Sequence, residues 1–261
     1  MKKKINYLLL LWLGLYLGAC QSTTYQGITI ATAANVQYAM QELIQAFTEK
    51  EGILCQTVIG SSGKLTAQIK AGAPYDLFVS ANMKYPNALH QKGFTTNLPQ
   101  VYAQGKLVLW TQQKSLNPSA QLLPQLLTQA KVKHVALANP KTAPYGEAAL
   151  QVLKKEDLAG KLKEKLVYGE SISQTNQFIL SQNAEVGFTA KSVVVSPKMK
   201  GKGKWVEINS ELYAPIQQGV ALLKQSNPHK VAQARKFYNF LFSDAAQKIL
   251  QKYGYQTIRS L

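Results

Sequence analysis

Short apolar segments alternate with amphipathic segments along most of the chain, and this alternation predicts an α/β fold. The first example begins with an apolar run, Ile53–Ile59, which predicts a strand. The turn Gly60–Gly63 follows it, and Leu65 and Ile69 then recur at helical spacing. A second apolar run, Tyr75–Ala81, predicts another buried strand. We therefore expect a strand, a helix that begins at serine, and a parallel strand.

Three other apolar segments also lead through polar turns into amphipathic helices. Because the carboxyl ends of parallel strands meet at one edge of a sheet, such turns border the crevice in which open α/β sheets bind ligands. The predicted units are strand Gly27–Ala33 with a helix capped by Asn35, strand His134–Ala138 with the turn Asn139–Gly146 and a helix from Glu147, and strand Leu166–Tyr168 with the turn Gly169–Ser173 and a helix from Gln174.

Helix starts at such turns are suited to anions. The first N–H groups of a helix lack a partner inside it, and the helix dipole favours negative charge there. Ser62 adds a hydroxyl that can donate, although it could equally serve only as the cap of its own helix. Pro144 suits the first turn of a helix and places the N–H groups of Tyr145 and Gly146 at its start. From spacing alone, Tyr145 could also be a surface aromatic residue.

The chain is expected to form two α/β lobes joined by two strands. Residues 94–105 predict a polar connection, and the strand Lys106–Thr111 follows the crossing into the second lobe. The strand Pro215–Leu223 is expected to pair with Lys106–Thr111 and to return the chain. The predicted lobes are residues 27–104 plus 224–261, which makes lobe 1 discontinuous, and residues 105–223.

The N-terminal residues predict export. A basic segment, Lys2–Lys4, precedes an apolar run, Ile5–Tyr16, which is too short for a membrane span of about 20 residues. Residues 1–19 are therefore predicted to be a signal peptide. Leu-Gly-Ala-Cys resembles the bacterial lipobox, so Cys20 is predicted to carry a lipid, with residues 20–26 as a tether to a bacterial membrane; plain secretion is the alternative. The protein is expected in the periplasm or at the cell surface.

The net charge of the chain limits the classes of binding partner that we expect. The full chain carries a formal net charge of +17, and loss of three lysines with the signal peptide leaves it strongly basic. Nucleic acid is not an expected partner outside the cytoplasm, and the lysines are scattered instead of forming a stripe. Attraction of a small anion and contact with lipid head groups both remain open.

Several motifs together resemble a known family, the periplasmic molybdate-binding proteins of ABC uptake systems. They are ATAANV, SSGKLTAQIKAGAPYDLFVSA, NPKTAPYGEAAL, SISQ, EVGFTA and KYGYQTI, in this order along nearly the whole mature chain. The resemblance implies an α/β, two-lobe type II periplasmic-binding-protein fold with two hinge-crossing strands. It also implies a monomer without a cofactor that holds molybdate or tungstate in the cleft and delivers it to an ABC permease.

The resemblance assigns ligand positions residue by residue. Ala34 stands where some relatives have a hydroxyl residue, and Ala190 stands where others have a ligand tyrosine; the Tyr145 hydroxyl could replace it. The implied ligand groups are Asn35, Ser62 and the backbone N–H groups of Tyr145 and Ile172, with Ala34, Ser61 and Ser171 as further positions.

The donor set suits a fully deprotonated oxyanion. Molybdate near neutral pH only accepts hydrogen bonds, and helix dipoles can supply the positive potential without Lys or Arg. Phosphate keeps a proton and needs an acceptor, so an all-donor cleft disfavours it. Sulfate can be rejected only by size. Glu170 could accept a phosphate proton if it faced the cleft, but it is expected to face solvent.

Other function classes remain as alternatives. A serine-dependent hydrolase would need a base near Ser62, but Gly60–Gly63 is not a G-x-S-x-G elbow, and His90, His134 and His229 lie outside the four turns. The sequence contains no CxxC or HExxH metal motif. A receptor for sulfate or phosphate, or a sensor or adhesin with the same fold, is also compatible with the residues.

Overall fold

The computed structural model describes residues 27–121, 123–224 and 227–258. The predicted signal peptide and the whole predicted tether, residues 20–26 with Cys20, lie outside the described residues. Within the described ranges, no helix is long and apolar enough to cross a membrane.

The strands are short, as expected for an α/β fold. They are β1 Ile28–Ala33, β2 Cys55–Gly60, β3 Leu77–Ser80, β4 Gln100–Gly105, β5 Leu107–Thr111, β6 Val135–Ala138, β7 Leu166–Gly169, β8 Val186–Ala190, β9 Lys204–Glu207, β10 Ile216–Leu222 and β11 Gln256–Thr257.

Helices follow most of the strands. The α-helices are α1 Gln37–Glu51, α2 Ser62–Lys70, α3 Lys84–Gln91, α4 Leu123–Thr128, α5 Pro144–Lys155, α6 Ile172–Leu180, α7 Lys191–Val194, α8 Pro228–Phe240 and α9 Asp244–Lys252. Short 3-10 turns occupy Ala34–Val36, Lys163–Lys165 and Ser210–Leu212.

Two mixed sheets divide the described chain into two lobes. The six-stranded sheet of lobe 1 has the order β11-β4-β10-β3-β1-β2, and the five-stranded sheet of lobe 2 has the order β7-β6-β8-β5-β9. In lobe 1, β1 is parallel to β2 and β3. In lobe 2, β6 is parallel to β7 and β8. The carboxyl ends of these parallel strands carry the polar turns that the sequence singled out.

The predicted pairing of the strand Pro215–Leu223 with Lys106–Thr111 is wrong. Strand β10 pairs antiparallel with β3 and β4 in lobe 1, whereas β5 pairs with β8 and β9. Residues 216–222 therefore belong to lobe 1, not to the predicted lobe 2 of residues 105–223. The partner β4 lies inside residues 94–105, which the sequence predicted as a connection. Its mixture of polar and apolar residues (QVYAQG) did not predict a strand, although Tyr102 and Ala103 in it are buried.

Each lobe has its own core. Every residue of β1, β3, β5 and β8 is buried, because helices cover both faces of the central strands. In lobe 1, Phe47 of α1 contacts Phe237 and Phe240 of α8 with ring centroids 4.9 and 5.5 Å apart. Aromatic contacts thus pack the C-terminal half of α1 against α8 in lobe 1.

Candidate anion-binding site

A small cavity lies between the two lobes at the helix starts. The space open to the centre of a water-sized sphere there is about 10 Å³, which is room for about one water molecule. No charged side chain lines it among the described residues. In this arrangement of the lobes the cavity is therefore small and uncharged. Its walls are Ala33, Ala34, Asn35, Gly60, Ser61, Ser62, Ala81, Ala143, Pro144, Tyr145 and Ile172.

Most sequence-predicted positions meet in this wall. Six of them, all but Ser171, line the cavity. Ser171 is the residue before α6, and its side chain makes no capping bond. The structure thus brings together turns that are more than 100 residues apart in the chain, from Asn35 to Ile172.

Four helix starts face the cavity, two from each lobe. Lobe 1 contributes the 3-10 turn from Ala34 and the first residue of α2, and lobe 2 contributes the first residues of α5 and α6. Pro144 is at the start of α5, as predicted. The unpaired N–H groups and dipoles of these turns give the cavity a positive potential without a fixed cation. An anion is the ligand that such a cavity favours.

The hydroxyl of Ser62 is arranged to donate. Its Oγ accepts a hydrogen bond from the N–H of Ala81 at 3.0 Å, and Ser62 is 1% exposed. Because that oxygen already accepts an N–H, its own hydrogen is free for an acceptor in the cavity. The alternative that Ser62 caps its helix is wrong: Ser61 is the cap, and its Oγ accepts from the N–H of Lys64 at 3.4 Å.

Asn35 differs from its expected role. It lies in the 3-10 turn and does not cap α1, which follows Val36 without a side-chain cap. Its Nδ2 donates to Gln218 Oε1 at 2.7 Å and to the Tyr255 hydroxyl at 2.9 Å. Both side-chain N–H groups therefore bind protein partners, although they were expected to face the ligand. The group that position 35 retains for an anion is its backbone N–H.

Gln218 determines how Asn35 is oriented. Its Nε2 donates to the carbonyl oxygens of Ala81 and Ile216, at 3.2 and 2.9 Å. Its Oε1 must then face Asn35, which has to present its amide nitrogen in return. Sequence reasoning missed Gln218, which sits within an ordinary strand pattern. Tyr255 carried one signal, its place in the KYGYQTI motif.

The side chain of Tyr145 extends from lobe 2 to Gly105, the last residue of β4 in lobe 1. A Cβ atom added at Gly105 would lie 2.0 Å from the Tyr145 hydroxyl, so this approach requires glycine at 105. Tyr145 is 2% exposed, and its hydroxyl lies beside the Asn35 side chain without forming a hydrogen bond of regular geometry to a described residue. Burial, followed by the neighbouring Tyr255 hydroxyl, raises the pKa of Tyr145 well above its ordinary value. Tyr145 is therefore neutral near neutral pH.

Glu170 is on the surface, in agreement with the expectation from the sequence. Its carboxylate is 2.9 Å from Lys64 Nζ, and the side chains of Glu170 and Lys64 are 62% and 49% exposed. The pair bridges the lobes beside α2 and α6, outside the cavity wall. A solvent-exposed pair of this kind stabilises by at most about 1 kcal/mol. No carboxylate of the described residues thus lines the cavity.

The geometry offers no catalytic base for Ser62. None of His90, His134 and His229 lines the cavity, and the Nδ1 atom of His90 lies 2.8 Å from Thr95 Oγ1. The described residues contain no group of three or more His, Cys, Asp or Glu side chains able to hold a metal ion. The arrangement can hold an anion by hydrogen bonds, and no described residue is positioned to react with it.

Two α/β lobes that meet over an uncharged cavity lined by helix starts define a two-lobe solute-binding protein. The family model described as bacterial extracellular solute-binding protein matches residues 28–256, and the chain belongs to this family. Membership makes it a binding protein and not the hydrolase considered from the sequence.

Similar proteins of known name and a similar solved structure show which members of the family this chain resembles. The chain is 36% identical over 246 residues to the molybdate-binding protein ModA of Rhodobacter capsulatus, covering 94% of each chain. It is 36% identical over 245 residues to ModA of Azotobacter vinelandii, covering 93% of this chain and 94% of the relative. The solved structure of the A. vinelandii periplasmic molybdate-binding protein superposes with a TM-score of 0.81 at 32% identity, covering 87% of this chain and 98% of that one. The two-lobe type II fold and the resemblance to molybdate-binding proteins are thereby confirmed.

Proposed function

We propose that this protein captures molybdate outside the cytoplasm and delivers it to an ABC permease. The observation that carries the proposal is the cavity itself: four helix starts and the Ser62 hydroxyl converge on a small space without a charged side chain. The names of the relatives, molybdate-binding proteins with matching length, support the choice of ion. Neither the proposal nor the residues require a cofactor.

The chemistry of the wall favours a proton-free dianion. The groups proposed to hold the ligand, the helix-start N–H groups and the Ser62 O–H, are donors, and molybdate oxygens only accept. The Asn35 Oδ1 atom is a buried acceptor without a partner among the described residues and is not part of this set. A protonated phosphate would place its own hydrogen against these donors and would lose a hydrogen bond in a buried site. Tungstate has the same charge and tetrahedral shape as molybdate, so we expect the same site to bind it.

Size must distinguish molybdate from sulfate. Both are fully ionised near neutral pH, so the donors alone do not separate them. Contacts between the lobes limit the space, including a hydrogen bond from Gly63 N to Thr142 O at 2.9 Å and one from Ser173 Oγ to Gln37 Oε1 at 3.2 Å. If the lobes close to these contacts, a smaller anion leaves some donors too far away. Lobe closure is therefore the proposed basis of selection.

The location of the protein is part of the proposal. We propose export to the periplasm or cell surface, with a lipid at Cys20 that holds a monomer near its permease. The sequence features that support it are the basic and apolar segments before Leu-Gly-Ala-Cys. Mass spectrometry of the membrane fraction tests it: the wild type should carry a diacylglyceryl group at Cys20, and Cys20→Ala should leave the membrane. An unmodified Cys20 in a secreted protein would overturn the lipid anchor.

Calorimetric titration of the delipidated protein tests the ligand. We expect tight binding of molybdate and tungstate, much weaker binding of sulfate, and none of phosphate. Saturation by sulfate or phosphate in preference to molybdate would replace the proposal by a receptor for that ion. A folded protein that binds none of the four would favour a sensor or adhesin role for the fold.

A further inference from the structure

We infer that Tyr255 is a positioning residue that couples lobe closure to the ligand site through a ring of three hydrogen bonds with Asn35 and Ser192. Asn35 Nδ2 lies 2.9 Å from the Tyr255 hydroxyl oxygen. The Tyr255 hydroxyl lies 3.1 Å from Ser192 Oγ. Ser192 Oγ lies 2.7 Å from the main-chain carbonyl oxygen of Asn35, and this hydrogen bond closes the ring.

The three hydrogen bonds of the ring run in one direction, so that each accepting residue donates the next bond. Gln218 fixes Asn35 with Nδ2 toward Tyr255, so the tyrosine oxygen accepts at this contact. The main-chain carbonyl oxygen of Asn35 can only accept, so Ser192 donates to it. The Tyr255 O–H then has two acceptors within reach, Ser192 Oγ at 3.1 Å and the Asn35 carbonyl oxygen at 3.2 Å, and its donation to Ser192 completes the ring. Such head-to-tail hydrogen bonds polarise one another and strengthen the whole ring.

The ring spans the two lobes. Asn35 follows β1, and Tyr255 precedes β11, so both belong to lobe 1. Ser192 lies in α7, directly after β8 of lobe 2. All three residues are at least 95% buried. Separation of the lobes would take Ser192 away from its two partners, so the complete ring exists only when the lobes are in contact.

The ring also affects the anion-binding turn that contains Asn35. Asn35 lines the cavity, and the ring holds both its main-chain carbonyl oxygen and its side-chain Nδ2. Closure of the lobes thus fixes the conformation of this turn. A ligand that holds the lobes together is released only when the ring opens. Loss of the ring should therefore accelerate release, without changing how fast the ligand finds the open cleft.

Stopped-flow binding of molybdate to purified Tyr255→Phe and Ser192→Ala variants tests this inference, which rests on the proposed function for its ligand. Loss of one or two neutral hydrogen bonds should raise the dissociation rate about three- to tenfold. The association rate should stay as in the wild type. The double variant should be no worse than about the larger single effect, because either change opens the ring.

Tyr102→Phe is the matched control. Tyr102 is fully buried in lobe 1, and its hydroxyl has no hydrogen-bond partner among the described residues. Its removal should leave the dissociation rate unchanged. The inference is wrong if Tyr255→Phe releases molybdate at the wild-type rate. It is also wrong if the variant slows association, as a general distortion of the cleft would.

Failure of the proposed function gives a different result. If wild-type protein binds no oxyanion, that function fails, but the ring can still be tested without ligand. Small-angle X-ray scattering should then show a larger radius of gyration for Tyr255→Phe than for the wild type and Tyr102→Phe. Equal radii for the three proteins would overturn the ring as a closure device.

Discussion

The amide of Gly63 donates a 2.9 Å hydrogen bond to the carbonyl oxygen of Thr142 across the cleft. The first residue is in the first turn of α2 in lobe 1, and the second is in the turn before α5 in lobe 2. A Cβ atom added at Gly63 would lie 2.9 Å from Thr142 Cα and 3.0 Å from its carbonyl oxygen. Glycine therefore allows the two ligand turns to approach each other.

Replacement of this glycine should obstruct closure. We expect Gly63→Ala to weaken molybdate binding by about 1–3 kcal/mol, the usual cost of overpacking. The ligand-free protein should be as stable as the wild type or slightly more stable, because Ala favours a helix by up to about 1 kcal/mol over Gly. Calorimetric titration and thermal unfolding measure the two effects.

Gly160→Ala is the control for that variant, since no atom lies within 4 Å of a Cβ at this position. It should leave affinity unchanged. Equal affinities of Gly63→Ala and the wild type would show that the lobes do not close to this contact when the ligand binds.

The Ser62 hydroxyl should contribute directly to binding. Ser62→Ala removes a donor from the cavity, and we expect a loss of about 1.5–3 kcal/mol in molybdate affinity, the range for hydrogen bonds to charged groups. It also leaves the N–H of Ala81 without its acceptor, so unfolding must be measured together with titration. Ser196→Ala is the comparison, because this buried serine donates to Val193 O at 2.6 Å, away from the cavity. Wild-type affinity in Ser62→Ala would remove Ser62 from the ligand set.

These positions could be predicted from the sequence because each depends on local chemistry. A Ser-Ser-Gly turn or an Ala-Pro-Tyr-Gly turn after an apolar strand determines a helix start from neighbouring residues alone. The buried strands β1, β3 and β8 were predictable for the same reason, since apolar and small residues fill them and no charged residue interrupts them. Strands β4 and β9 were missed, because their polar residues and the lysines and glycines before β9 are typical of loops.

The partners of Asn35 could not be predicted, because they come from distant parts of the chain. Gln218 and Tyr255 lie 183 and 220 residues away from it in sequence. A glutamine in a strand and a tyrosine near a terminus carry no local sign of such contacts. The assumption that a polar residue at a ligand turn directs its side chain to the ligand therefore failed at Asn35, while it agrees with the geometry at Ser62.

Binding should not depend on a titrating protein group near neutral pH. Tyr145 is the titratable side chain in the cavity wall among the described residues, and burial raises its pKa well above the ordinary value. It stays protonated from about pH 6 to pH 9. We expect molybdate affinity, measured by calorimetry at constant ionic strength, to stay constant over this range. A change of about tenfold or more would indicate an ionisable group at the ligand that the structure does not place there.

Asp76 should make stability depend on pH. It is 1% exposed, and burial raises its pKa, opposed by a 2.7 Å hydrogen bond from Thr29 N and by the charge of Lys230. A raised pKa in the folded state means that the stabilising effect of protonation is fully present below the unfolded pKa of about 3.9. It is lost as the pH rises through the folded value. The stability of wild type relative to Asp76→Asn should therefore fall as the pH increases across this window.

Urea unfolding of both proteins at several pH values measures this difference. Asp157→Asn is the control, because Asp157 is exposed and its pKa is lowered by Lys161. Its stability relative to the wild type should not follow the trend of Asp76→Asn. A difference between wild type and Asp76→Asn that stays constant with pH would contradict the assignment.

The most direct test of the central claim is a crystal structure with molybdate, in which anomalous scattering locates the metal atom. We predict the ion between the lobes, with its oxygens within hydrogen-bond distance of Ser62 Oγ and of the backbone N–H groups of Tyr145 and Ile172. No carboxylate should touch it. Molybdate bound elsewhere, or in contact with Glu170 instead of the helix starts, would contradict the account.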